Sequence, residues 1–203
     1  MIPGQLITGD KLDVLLRRRE LLIEPILDSS SQIDGTGIDI RLDTLFREFV
    51  RTQRPFLTPA ESASEGTVLR DLEPFQRSFF LQPGEFALAQ SFEYIAFPNY
   101  VYGLLNGRSS LGRRGLIVHA TANFVDPGWR GHLVFELANL GAMPIELFPL
   151  MRVAKIIFFE TAASKGYSGS YRGQMRIKAP DADRFCQEIS RRRLTVQPQP
   201  KKI

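Results

Sequence analysis

Residues 132–137 read His-Leu-Val-Phe-Glu-Leu. An extended strand puts Leu133, Phe135 and Leu137 on one face and Val134, Glu136 and Ala138 on the other. The same period of two runs through Ile38, Ile40 and Leu42, which alternate with Asp39, Arg41 and Asp43, so a second half-buried strand is expected there. More short apolar runs lie at Phe79–Leu81, Phe86–Tyr94, Val101–Leu105, Ile145–Phe148 and Val153–Phe159. Turn-forming pairs separate them: Pro83-Gly84, Pro98-Asn99 and Gly141-Ala142. Many short strands punctuated this regularly predict a mainly β chain, a barrel or a sandwich.

Other segments differ. Thr8 to Arg19 reads as a short N-terminal helix, with Thr8 as cap and Leu12, Leu15 and Leu16 on one face. Pro25 bars its continuation. Residues 58–73 are rich in Ser, Glu, Gly and Pro and are expected to form a loop. Gly166, Gly169 and Gly173 mark a flexible arm, Asp181 to Arg192 reads as a short amphipathic helix, and the Pro/Lys end as frayed.

The chain has 203 residues, 43% apolar and 24% charged, enough for a core without covalent staples. A single cysteine, Cys186, rules out a disulfide framework and a cysteine-based zinc site. A reducing cytoplasm fits. No apolar run approaches the roughly 20 residues that span a membrane, and the start, MIPGQLITGD, is not a signal peptide. The net charge of +4 would attract an anionic small molecule but is too dispersed for nucleic acid. Arg17–Arg19 and Arg191–Arg193 read as solvated faces.

Candidate chemistry gathers between Asn106 and Asn139. Glu136 projects from a small apolar face, where partial desolvation disfavours the charge of a carboxylate. A general acid or base needs such a setting; a structural glutamate paired with an arginine at a subunit interface is the other reading. Gly107-Arg108-Ser109-Ser110 can present backbone N–H groups, hydroxyls and a guanidinium to a phosphate, or be an ordinary turn. Of Arg113 and Arg114, one can reach the acid or a phosphate. Asp126-Pro127-Gly128-Trp129 is a turn by composition. Asp126 accepts a sugar hydroxyl or caps that turn, and Trp129 borders a ring pocket or covers the core edge. His119 reads as a satisfied interior histidine. No His-x-Glu with Cys-x-x-Cys occurs, which excludes a zinc deaminase of the base-editing type.

Taken in order, GRSSLGRRGL, HATANFVDPGW and HLVFELAN resemble the dCTP deaminase family, a branch of the trimeric dUTPase superfamily. The resemblance extends to GTGIDIRLD (35–43), PGEFALAQSFEYIAFP (83–98) and SYRGQ (170–174). It implies a distorted β-barrel or jelly-roll of the dUTPase-like type, a homotrimer with active sites between subunits, and hydrolysis of the exocyclic amine of dCTP without zinc. Glu136 matches the catalytic glutamate, Ser109 and Arg113 the residues that hold the water and orient the acid, and Ala122 the backbone carbonyl facing the amine. Arg108 and Ser110 match phosphate contacts, Asp126 the contact to the 3′-hydroxyl, and Val134 the pocket wall. Tyr167, and Tyr171 with Gln174 in a Tyr-x-x-Gln element, match the arm that closes over the triphosphate. Mg2+ rides on the phosphates, and feedback by dTTP is implied. The resemblance also divides the chain into residues 1–174, barrel and arm, and 175–203, a C-terminal extension.

Two departures stand out. Ser170 replaces the arm lysine just before the Tyr-x-x-Gln element, and the family's Pro-Gly-Met turn reads Pro149-Leu150-Met151. Leucine resists positive φ, so a locally different turn is expected. The first reading is release of dUTP and ammonia from dCTP. The rivals are a bifunctional enzyme that goes on to dUMP, a plain dUTPase, and a catalytically silent nucleotide-binding protein.

Overall fold

The computed structural model describes residues 3–73, 77–121, 123–162, 165–183, 186–188 and 191. The chain is mainly β. In order, the elements are β1 (Leu6–Ile7), α1 (Gly9–Arg17), β2 (Leu22–Glu24), α2 (Ser29–Gln32), β3 (Ile38–Phe49), β4 (Thr67–Asp71), β5 (Phe79–Leu81), β6 (Phe86–Ala96) and β7 (Val101–Gly107). Then follow α3 (Ser109–Gly112), β8 (Leu116–Ile117), β9 (Phe124–Val125), β10 (Arg130–Asn139), β11 (Ile145–Leu147) and β12 (Arg152–Glu160). The chain forms two compact units, one of residues 1–48 and 69–177, the other of 49–68 and 178–203.

In the first unit an antiparallel sheet runs β8-β10-β6-β3-β12-β7-β9, with β1 added on β12, β2 on β6 and β4 on β3. β11 and β5 make a separate pair. Register shifts at His132/Val134, Arg152/Ala154 and Leu42/Phe46 interrupt the ladders. Such bulges bend a strand and raise its twist, which curls the sheet into a half-barrel. Its interior holds Ile38, Ile40, Leu42, Phe46, Phe135, Ile156 and Phe158, all fully buried. Each such side chain contributes roughly 1.5–3 kcal/mol by leaving water. Phe46 stacks on Phe79 at 4.7 Å and ties β3 to β5.

Helix α1 buries Leu12 and Leu15 as its spacing predicts. Thr8 stands at its N-cap but makes no side-chain capping bond. The helix stops at Arg17, ahead of Pro25; Arg19 turns the chain there with φ 57°. The loop expected over 58–73 is only partly irregular, since a 3-10 turn at Ser64–Gly66 leads into β4. Thr67, Val68 and Leu69 favour an extended backbone that the polar residues around them obscure. In the second unit, the N–H groups of Ala63 and Asp183 donate to the carbonyls of Pro180 and Pro59. Of the helix expected over Asp181–Arg192, residues 186–188 are helical and part lies outside the described residues.

Leu150 overturns one expectation. Its φ is +68°, so leucine does occupy the left-handed position. Long-range pairing imposes this: Leu150 N–H donates to the Leu42 carbonyl at 2.8 Å, and Leu42 N–H donates to the Met151 carbonyl at 2.9 Å. Among the described residues, no helix is long and apolar enough to cross a membrane.

Candidate active site

Strand β10 carries the alternation read from the sequence. Leu133, Phe135 and Leu137 are buried, and Val134, Glu136 and Ala138 are half-buried on the opposite face. One edge pairs with β6, where Glu136 stands opposite Leu88. The other edge pairs with β8 at Ala138 and Asn139, and Glu136 N–H continues that line by donating to the Val118 carbonyl at 3.1 Å. Residues 118–121 therefore run alongside the acid. The Glu136 carboxylate accepts from Ala120 N–H at 3.1 Å, Thr121 N–H at 3.0 Å and the Thr121 hydroxyl at 3.1 Å. These bonds fix the plane of the carboxylate. The donors come from a turn and not from the strand, so the apolar face expected around Glu136 is polar on the 120–121 side.

His119 precedes those donors. Both of its ring nitrogens are buried and have no hydrogen-bond partner among the described residues, so the satisfied interior histidine read from the sequence is not what forms among them. Burial pushes its pKa below the ordinary 6.5, against a smaller upward pull from the Glu136 charge. Ala122 lies outside the described residues.

The basic turn is organised differently. Arg108 N–H donates to the Val153 carbonyl at 3.0 Å, and the Arg108 carbonyl accepts from Leu111 and Gly112 N–H. These bonds build α3, so Ser109 and Ser110 open a single helical turn. The Arg108 guanidinium pairs with Asp39. The Arg113 guanidinium and the hydroxyls of Ser109 and Ser110 bond to no other described residue, and none of these groups bonds to Glu136. On one chain, the acid and the basic turn remain separate.

The third group of sequence-read residues meets at the start of β10. Gly128 has φ +73°, and Trp129 N–H closes the turn on the Asp126 carbonyl at 3.1 Å. A Cβ at Gly128 would lie 2.7 Å from the Gly166 Cα and 2.6 Å from the Asn99 Oδ1; the arm packs here with no room to spare. Tyr167 N–H donates to the Pro127 carbonyl at 2.7 Å, and its ring lies 5.2 Å from that of Trp129. Trp129 also packs on the core edge, the second of its two readings. Further on, Gly173 N–H donates to the Arg130 carbonyl, and His132 N–H to the Gln174 carbonyl at 2.9 Å. The arm thus docks on its own chain, with Gln174 buried and Tyr171 exposed.

The family model for dCTP deaminase-like proteins matches residues 6–161. The chain belongs to the dCTP deaminase-like family. A relative from Clavibacter michiganensis named "dCTP deaminase, dUMP-forming" is 40% identical over 159 residues, 75% of this chain and 77% of that protein. A "dCTP deaminase" of Halorubrum lacusprofundi is 40% identical over 151 residues, 73% of this chain and 74% of its own. Among solved structures, the 2′-deoxycytidine 5′-triphosphate deaminase of Agrobacterium tumefaciens superposes with a TM-score of 0.61 at 19% identity, over 78% of this chain and 47% of that one. At that identity the likeness speaks for the fold alone.

Around Glu136, sequence reading missed Thr121, which reaches the carboxylate with both N–H and hydroxyl. The signal was a hydroxyl residue two positions past His119 in a segment already singled out. It also missed Asp39 and Arg152, which only the strand order brings to Arg108.

Proposed function

We propose that the chain hydrolyses dCTP at its exocyclic amine without zinc and carries the product on to dUMP. The observation that supports this most is the Glu136 carboxylate, held by three donors from residues 120–121 inside a family match spanning residues 6–161. A base fixed before the substrate arrives needs no reorganisation during the reaction. In this reading Glu136 takes a proton from water, the hydroxide adds at C4 of the pyrimidine, and Glu136 passes the proton to ring N3. The C4 hydroxyl then gives up its proton to the amine, and collapse of the tetrahedral carbon expels ammonia and leaves the uracil carbonyl. Val134 and Trp129 border the ring.

Ser109 and Arg113 hold the water. Among the described residues their side chains have no bonded partner, which favours delivery across a subunit boundary in a homotrimer. Arg108 and Ser110 contact the phosphates, Asp126 the 3′-hydroxyl, and Tyr167, Tyr171 and Gln174 form the cover. Mg2+ enters as part of the substrate, bound to its phosphates, and dTTP acts as a feedback inhibitor. The catalytic unit is residues 1–174, with 175–203 as an appendage.

Formation of dUMP is preferred to release of dUTP because relatives from Clavibacter, Leifsonia and Streptomyces carry the description "dUMP-forming". The Halorubrum relative, at equal identity to that of Clavibacter, is named without it, so release of dUTP remains the second reading. The test incubates purified protein with dCTP and magnesium and measures ammonia, nucleotide and pyrophosphate separately. Ammonia with dUMP and pyrophosphate is expected. Ammonia with dUTP would leave the deaminase and remove the second step; no ammonia would overturn both. Glu136→Gln should lower ammonia release by about 10²–10⁴-fold while dCTP still binds.

A further inference from the structure

Asp39 has only 5% of its surface exposed, although the alternation of β3 expects it to face outward. β12 lies between β3 and β7, with Lys155 opposite Asp39 on one side and Asn106 on the other. The end of β7 therefore brings Arg108 onto Asp39. Asp39 Oδ2 accepts from Arg108 and, at 3.4 Å, from Nη1 of Arg152, which also donates to the Ser31 carbonyl at 2.5 Å. Asp39 Oδ1 is buried without a partner among the described residues. One carboxylate thus serves two guanidinium groups and leaves one positive charge in excess.

Neither arginine grips Asp39 with the paired N–H fork that saturates a structural arginine–carboxylate pair. Each guanidinium carries five N–H donors, and most of them stay uncommitted among the described residues. The two side chains remain about a third exposed, 34% for Arg108 and 31% for Arg152. The Arg108 N–H bond to the Val153 carbonyl locks the basic turn beside the residue that follows Arg152.

We propose that Arg152 is a second phosphate-reading arginine of this site, held next to Arg108 by Asp39 as a positioning residue. The proposal rests on the reading of Arg108 and Ser110 as phosphate contacts. Two guanidinium groups sharing one carboxylate repel each other, and an oligophosphate relieves that repulsion as well as filling the open donors. Recognition by this pair must therefore strengthen with the number of phosphates.

Calorimetric binding of inorganic tripolyphosphate, dCTP, dCDP and dCMP to wild type, Arg152→Gln and Arg152→Lys tests this. Arg152→Gln should weaken tripolyphosphate and dCTP by roughly ten- to hundredfold, the loss of charge-assisted bonds, and dCMP far less. Its KM for dCTP should rise while kcat stays within about threefold of wild type, and Arg152→Lys should recover part of the affinity. Unchanged tripolyphosphate binding, an equal loss for dCMP, or a lowered melting temperature with intact affinity would overturn the proposal. Wild type that binds tripolyphosphate through Arg152 yet frees no ammonia from dCTP would uphold the clamp and remove the deaminase reading. Wild type that binds none of the four would remove both.

Discussion

Raising the pH from 5 to 8 should weaken the fold through one carboxyl, that of Glu93. It is fully buried on β6. Its Oε1 accepts from Gln32 Nε2 at 2.7 Å and its Oε2 from Arg41 N–H at 2.9 Å, while the Arg41 Nε stands 3.9 Å away. Burial outweighs these favourable contacts and pushes the carboxyl up from an ordinary 4.5 to about 7. Between those values the unfolded chain has released the proton and the folded chain still holds it. The stability this group contributes is full below pH 4.5 and is lost as pH rises through about 7. At about 1.36 kcal/mol per pH unit, the change is on the order of 3 kcal/mol. Glu93→Gln keeps the shape and removes the titration. Its amide also sets a donor against Gln32 or Arg41, at a pH-independent cost of about 1–3 kcal/mol. The informative quantity is therefore how the difference between variant and wild type moves with pH. Urea unfolding of both proteins at fixed concentration, from pH 5 to pH 8, reads it directly. The variant should gain on wild type by up to about 3 kcal/mol across that range. A difference that stays flat, or a variant that loses ground as pH rises, would refute the reasoning.

Two other outcomes follow from local geometry. Leu150→Gly relieves the left-handed backbone and should raise stability by about 1 kcal/mol in a thermal or urea melt; a destabilised variant would show that the leucine side chain contributes more than its backbone costs. The His119 ring should titrate below 6.5 by NMR. Its folded-state value is depressed, so the stability linked to it is present above about 6.5 and falls on acidification, and a titration above 6.5 would contradict the buried, unpartnered ring.

The strand pattern of residues 132–139 was legible because β10 packs one whole face on the core, and burial then repeats with the pleat. The same rule misplaced Asp39, since the arginines that cover it stand 69 and 113 residues away in sequence and arrive only through the order β3-β12-β7. The half-buried face that carries Glu136 was legible and the donors to its carboxylate were not, for a related reason. An apolar neighbourhood can be read within a strand, whereas Ala120 and Thr121 belong to a turn placed by the pairing of β8 with β10. Leu150 gives the sharpest case. A leucine at φ +68° costs roughly 1–3 kcal/mol. The bonds from Leu150 to Leu42 and from Leu42 to Met151 return about 0.5–1.5 kcal/mol each, and forming them lets β3 and β12 keep their register. Local preference and long-range pairing are thus of equal size at this turn. The pairing prevails because giving it up would leave the Leu42 N–H and carbonyl, next to a fully buried side chain, without partners.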